Sequence, residues 1–358
     1  MARLADGRIA VLSAENRQLF LFEPSGKLSR TIGGHGRGPG EFVRPEHLWY
    51  LPPDTLMVWD YFMGPVTRFD TAGRVLDRRH IDLGRALEQL PDQASPESRT
   101  IALPDGSFLV RVVLRDRHLE RPPDDALVRH PPVEYVRLDN TYATVSLGVR
   151  PGPQQWVVPE RIGRASAAAK WYLDSKDHLQ PTSLVTAIAA GGHPTSIYLS
   201  PGDRNEIRQF SLNGTLLRII RRTAPPVRVT ERAHRAHRQH SIRVLAAVNN
   251  GADWYGPIVM ARPKWEAYPP IHGMVVDTEG RLWVREWSER ETGMPDQWSV
   301  FSSEGRWLGV LDEPASPTAM PDLTHCQRCW IGKDFFLTLR RDDWGGEQIE
   351  AYRIRRDG

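Results

Sequence analysis

Short apolar runs of five to seven residues recur along the chain, and each follows a tight-turn signature. The turns are ADGR (Gly7), PPDT (Asp54), PDGS (Gly106), AGGH (Gly192), TEGR (Gly280) and GKDF (Asp334), and the runs after them are RIAVL, TLMVW, SFLVRVV, TSIYL, RLWVR and FFLTL. Their β-branched and aromatic residues suit a pleated, half-buried surface. A second kind of turn alternates with the first: PSGK (Gly26), TAGR (Gly73), LDNT near Asn140, LNGT (Gly214) and SEGR (Gly305), preceded by QLFLFE, VTRFD, EYVRLD, IRQFS and QWSVFS. First and second turns lie 19 residues apart in the first two units, 22 in the fourth and 25 in the fifth, which is room for two successive hairpins. Six such four-stranded units of about 50 residues are the signature of a β-propeller, whereas a sandwich needs no repeating pair of turns. The pattern predicts one all-β domain over residues 1–358, a six-bladed β-propeller. Its blades fall near 1–33, 46–83, 98–149, 183–222, 271–312 and 322–358, with one helical insertion, 223–270, between blades four and five.

Parity then selects a face. Strands in a blade run antiparallel, so the first-to-second and third-to-fourth turns lie on one side of the disc and all other connections on the opposite side. Every long connection (33–45, 84–97, 116–131, 150–182, 223–270 and 287–296) is of the other kind. Long loops on a rigid scaffold are where binding usually resides, so that face is the candidate functional surface.

One connection, TIGGHGRGPGEF at Thr31–Phe42, is rich enough in glycine to raise the question of phosphate binding. A dinucleotide site needs a helix after the loop, and a P-loop needs a terminal G-K-[ST]. Here VRPEHLWYL leads into another strand, so the loop reads as a bend from blade one to blade two, with glycine freedom and Pro39 shaping it. The stretch IGGHGRGPGEFVRPEHLWYLPPDTLMVWD, with RFDTAGRVL and PPIHGMVVDTEGRLWVREW, resembles the bacterial six-bladed β-propeller family related to NHL-repeat proteins. The resemblance spans essentially the whole chain and implies the fold; such proteins often carry an export or lipoprotein signal.

Candidate chemistry is sparse. The net charge is +3 and the basic residues are dispersed, which disfavours nucleic acid as a partner. No apolar stretch nears the roughly 18 residues needed to cross a bilayer, and MARLADGRIAVL lacks a signal-peptide pattern. Taken as given, the chain reads as cytoplasmic; an upstream export segment would make it exported or periplasmic. Cys326 and Cys329 form one C-x-x-C, read as two cysteines on a structural strand, with His325 a conceivable third zinc ligand. A helix is expected over Thr230–Asn249 with Thr230 as N-cap. His234, His237 and His240 recur on it at every third residue, which spreads them too widely around the axis for one metal ion. Trp59, Trp283, Trp298 and Trp330 are expected between blades.

The expected function is a non-catalytic binding or interaction module for a protein, peptide or carbohydrate. Its candidate contacts are Arg37, Glu41, Phe42, His47, Trp254, Trp265 and His272, with no catalytic or metal residues assigned. The alternative is a calcium-dependent lactonase- or esterase-like hydrolase at the channel mouth. However, Glu46 and His47, Thr182 and Ser183, Ile271 and His272, and Leu323 and Thr324, near the starts of inner strands, do not form an acidic ring. Finally, the register leaves no residues for the outer strand of blade six, which leads to the expectation of an upstream segment that supplies it.

Overall fold

The computed structural model describes residues 1–60, 64–82, 84–85, 88, 94–114, 128–129, 132–139, 141–151, 155–156, 188–200, 204–248, 255–260, 264–288, 297–313, 329–341 and 346–355. The chain is a six-bladed β-propeller. Its antiparallel sheets span 2–33, 45–80, 94–151, 188–221, 273–312 and 329–353, and strands follow chain order across all but one of them. In the third sheet the order is equally consecutive once a separate ribbon, Val128–Arg129 with Gln155–Trp156, is set aside; the turn pattern gave no sign of that ribbon.

In the second strand of blades two to five most residues are buried on both faces, because a neighbouring blade covers each face. In Thr55–Asp60, Leu56 and Val58 join Leu19 and Leu21 of blade one, while Met57 and Trp59 join Phe108 and Val110 of blade three. The same alternation sends Ile197 and Leu199 to Leu109 and Tyr135 of blade three, and Tyr198 to Met274 and Val284 of blade five. Trp283 crosses to Phe336 of blade six. A period of two therefore divides each strand between two seams, each buried side chain contributing about 1.5–3 kcal/mol. The Arg3 guanidinium lies 4.8 Å over the Phe335 ring, a contact between blades one and six.

The tight turns share one construction. In Asp70–Arg74 and Asp277–Arg281 the first amide donates to the fifth carbonyl, the glycine amide donates to the first carbonyl, and the first side chain accepts from the amides of residues three and five. Gly73 and Gly280 take φ values of 85° and 77°, the left-handed region open to glycine. In the LDNT turn, Tyr142 occupies that region at φ 66°, which is why the turn has no glycine to read.

One departure from expectation lies in the insertion. Besides α1 (Glu231–Val248), capped by Thr230 Oγ1 accepting from the Ala233 amide at 3.2 Å, a second short helix, α2 (Tyr255–Met260), follows it. The sixth sheet has three strands among the described residues, Cys329–Ile331, Phe335–Arg341 and Glu347–Arg353. Ala2 and Arg3 pair with Ala10 and Ile9, placing the first residues on the inner strand of blade one, as the turn register requires.

Candidate binding face

Five-residue turns at 4–8, 23–27, 70–74, 103–107, 139–143, 211–215, 277–281 and 302–306 all close first-to-second or third-to-fourth strand pairs, so they share one side of the disc. Connections 34–44 and 222–272 leave from the other side.

The glycine loop closes on itself. Phe42 donates its amide to the Gly34 carbonyl, Gly36 donates to the Phe42 carbonyl, and the Glu41 carboxylate accepts from the Gly38 amide at 2.7 Å. A Cβ at Gly36 would lie 2.0 Å from Glu41 Oε2, and one at Gly38 2.9 Å from it. The missing side chains make room for the chain's own carboxylate, and the Arg78 guanidinium donates to the carbonyls of Arg37 and Gly38. The loop thus supplies its own anion, which is the physical content of the bend read from sequence. Phe42 is fully buried, with its ring 6.0 Å from Phe69 and against Gly33, so it anchors the loop in the blade one–two seam and does not meet solvent. Arg37 and Glu41 are exposed.

At the loop-side end of blade two, buried Asp60 accepts from the amides of Val43 and Arg44 and fixes the entry to the inner strand. Glu46 follows at 3.4 Å from the Arg44 guanidinium. Burial pushes the Glu46 carboxyl above its ordinary range, with Arg44 opposing and the Asp60 charge adding to the rise. His47 is half-buried and stacks on Trp49 at 5.2 Å and 23°.

Blade five stands three positions away in the ring, and there the insertion is rooted by aromatic packing. Tyr268 stacks on Trp287 at 3.9 Å and 13°, and His272 meets the same indole edge-on at 6.1 Å. Val227, Val229, Ala233 and Trp265 pack around this pair. Buried His234 of α1 donates from Nε2 to the Trp265 carbonyl at 2.8 Å. His272 is fully buried and donates its amide to the Arg285 carbonyl, so its ring is part of this root. Trp265 is half-buried in the same cluster, and Trp254 lies outside the described residues. Burial lowers the His240 basicity, helped by the neighbouring charges of His237 and Arg243.

Beside the root lie two ion pairs, each with one buried partner, that the sequence did not single out. Arg222 donates to Glu286 at 2.6 Å, and Ser299 Oγ donates to the same carboxylate at 2.7 Å. Arg285 grips Glu313 through Nε and Nη2 at 2.7 and 2.8 Å, while Trp298 Nε1 donates to Glu313 at 3.1 Å. Burial pushes the Glu286 carboxyl up, against the pull of Arg222 and Ser299. Their only sequence signal was polar residues ending otherwise apolar strands, as in LWVRE.

Among the described residues no group of three or more His, Cys, Asp or Glu is placed to hold a metal ion. Cys329 lies on the inner strand of blade six, paired with Thr338, while His325 and Cys326 lie outside the described residues. Trp59, Trp283 and Trp298 fill seams as expected, and Trp330 is half-buried on its strand. No helix among the described residues is long and apolar enough to cross a membrane.

The comparison with family models agrees with the architecture. The model of a family described as a six-bladed beta-propeller matches residues 2–86. Among solved structures, a putative exported protein from Bacteroides fragilis is 13% identical, over 94% of this chain and 77% of that one, at a TM-score of 0.43. Virginiamycin B lyase from Staphylococcus aureus is 10% identical, over 99% and 83%, at 0.37. Regucalcin, a calcium-binding protein from Agrobacterium tumefaciens, is 12% identical, over 95% and 80%, at 0.36. No curated protein matches the chain significantly.

Proposed function

We propose that the protein is a binding or interaction module that takes its ligand, a protein, peptide or carbohydrate, on the loop side of the propeller. One observation carries this reading. All eight five-residue turns lie on one side, while the helical insertion leaves from the other and is fastened to blade five by a stacked Tyr268–Trp287 pair. A rigidly rooted insertion gives a pre-organised surface, which reduces the ordering cost of binding. Within that surface Arg37, Glu41 and His47 are the accessible members of the expected contact set, and Glu46 joins them as a carboxyl whose ionisation a ligand cation would favour. The kinship with NHL-repeat propellers suggested by the G-x-G-x-G-P-G-E-F loop belongs to the same reading.

The test is a thermal-shift screen of peptides and oligosaccharides, with and without calcium, on the wild type and on two variants. Glu46→Gln with His47→Ala alters the loop side, and Asp54→Ala alters the turn side. A ligand whose stabilisation is lost in the first variant and kept in the second supports the reading; loss in the second alone overturns it. Stabilisation that requires calcium, accompanied by lactone or ester turnover, would replace it with calcium-dependent hydrolysis.

A further inference from the structure

The outward face of α1 carries a line of exposed arginines, of which Arg235 alone acts on a nearby carboxylate, Glu231, among the described residues. At 100° per residue, Arg232, Arg235, Ala236, Gln239 and Arg243 fall within one sector of about 100°, and all five are exposed. The opposite sector holds His234 and Ser241, both buried. Arg232 and Arg243 are separated by about 16 Å along the axis. Arg228, also exposed, precedes the helix where the chain bridges to Ala267. None of these four guanidinium groups has an ion-pair or hydrogen-bond partner among the described residues. The nearby acid Glu231 is already held by Lys264 at 2.6 and 2.9 Å.

Resting on the loop-side binding reading, we infer that this stripe docks an acidic polypeptide segment of a partner protein. Guanidinium forks pair bidentately with carboxylates, and four unpaired ones supply the complementary charge. The outward sector contains no apolar side chain larger than Ala236, so it lacks the apolar face with which an amphipathic helix enters a bilayer. The stripe is one helix wide, and exposed Glu266, whose carbonyl accepts from the Val229 amide, lies beside its Arg228 end. A broad anionic sheet or a nucleic-acid duplex would meet that acid, whereas a thin linear chain of carboxylates follows the arginines alone.

The experiment measures binding of fluorescent poly-L-glutamate by anisotropy at about 50 mM salt, where exposed charges are weakly screened. Competitors are polygalacturonate, single-stranded DNA and phosphatidylserine vesicles. Wild type is compared with Arg232→Glu/Arg235→Glu/Arg243→Glu and with Lys27→Glu/Arg30→Glu/Arg306→Glu, an equal charge reversal elsewhere on the exposed surface. The inference expects saturable binding that weakens more than tenfold in the helix triple, stays within about twofold in the control triple, and falls with added salt. Equal loss in both triples, no saturable binding, or preferential capture of the glycan, DNA or vesicle overturns it. A ligand found on the loop side whose affinity ignores the helix triple but falls with Glu46→Gln/His47→Ala would also overturn it, while leaving the binding-face reading in place.

Discussion

Removing the Asp277 carboxylate should cost several times more than removing the equivalent group from Asp70, although both residues begin the same turn. Asp277 Oδ1 accepts from the amides of Glu279 and Arg281 at 2.9 Å each, and Oδ2 accepts from Arg281 Nε at 2.6 Å and Trp283 Nε1 at 2.8 Å. Its side chain is 0% exposed, and Trp283 lies in the blade five–six seam. Asp70 accepts from the amides of Ala72 and Arg74 and from Arg74 Nε, but Arg74 is 82% exposed and no indole is involved. In Asp277→Ala the indole N–H and a largely enclosed guanidinium lose their acceptor; stranded buried donors and a broken buried pair together suggest about 3–4 kcal/mol. In Asp70→Ala water replaces the lost acceptor at Arg74, leaving about 1 kcal/mol for the turn amides. The assay is urea denaturation followed by tryptophan fluorescence, comparing midpoints at unchanged m-value. Equal losses, or a larger loss at Asp70, would refute the claim that burial and the indole bond separate two otherwise identical turns.

Other expectations follow from the same contacts. Gly36→Ala should evict the Glu41 carboxylate and cost about 1 kcal/mol, with little further loss in the Gly36→Ala/Glu41→Ala pair, because the steric conflict and the lost hydrogen bond are one event; a double-mutant cycle in urea reads this. Trp287→Ala should cost about 3–4 kcal/mol and open residues 223–270 to limited proteolysis ahead of the blades. Two carboxylates should give opposite pH slopes. At Glu206 burial raises the carboxyl, but hydrogen bonds from Arg208 and Arg221 outweigh it and hold the group low. Its stabilisation is therefore present above the unfolded carboxylate pKa and fades as pH falls. Glu286 is held high, so its contribution is present in acid and fades as pH rises. Urea midpoints between about pH 4 and 7 should show the wild-type advantage over Glu206→Gln shrinking on acidification, and that over Glu286→Gln growing.

The blades were legible because their turns are local devices: Asp or Ser at the first or third position and, in all but 139–143, glycine at the fourth write the hairpin directly into five residues. The inner placement of Ala2–Arg3 and the N-cap at Thr230 were readable for the same reason. What depends on residues far apart was not. Phe42 looks like an exposed loop aromatic until Gly33 and Phe69 are seen to enclose it, and His272 looks like a mouth residue until Trp287 covers it. The Tyr268–Trp287 stack joins an insertion to a strand end, and the Arg222–Glu286–Ser299 network joins two blades; neither leaves a spacing to find. Likewise, the every-third spacing of His234, His237 and His240 carried no sign that His234 faces inward and donates to the Trp265 carbonyl.

Because neighbouring residues of one strand belong to different seams, the molecule has no single centre whose loss would melt it. Leu56 and Met57 are covalent neighbours, yet a cavity at one loosens the blade one–two junction and a cavity at the other the blade two–three junction. Damage should therefore stay within a pair of wedges, as a fault in an arch is confined between two stones while the remaining joints still bear on one another. Variation can accumulate joint by joint, leaving the distant side of the disc free to hold its shape.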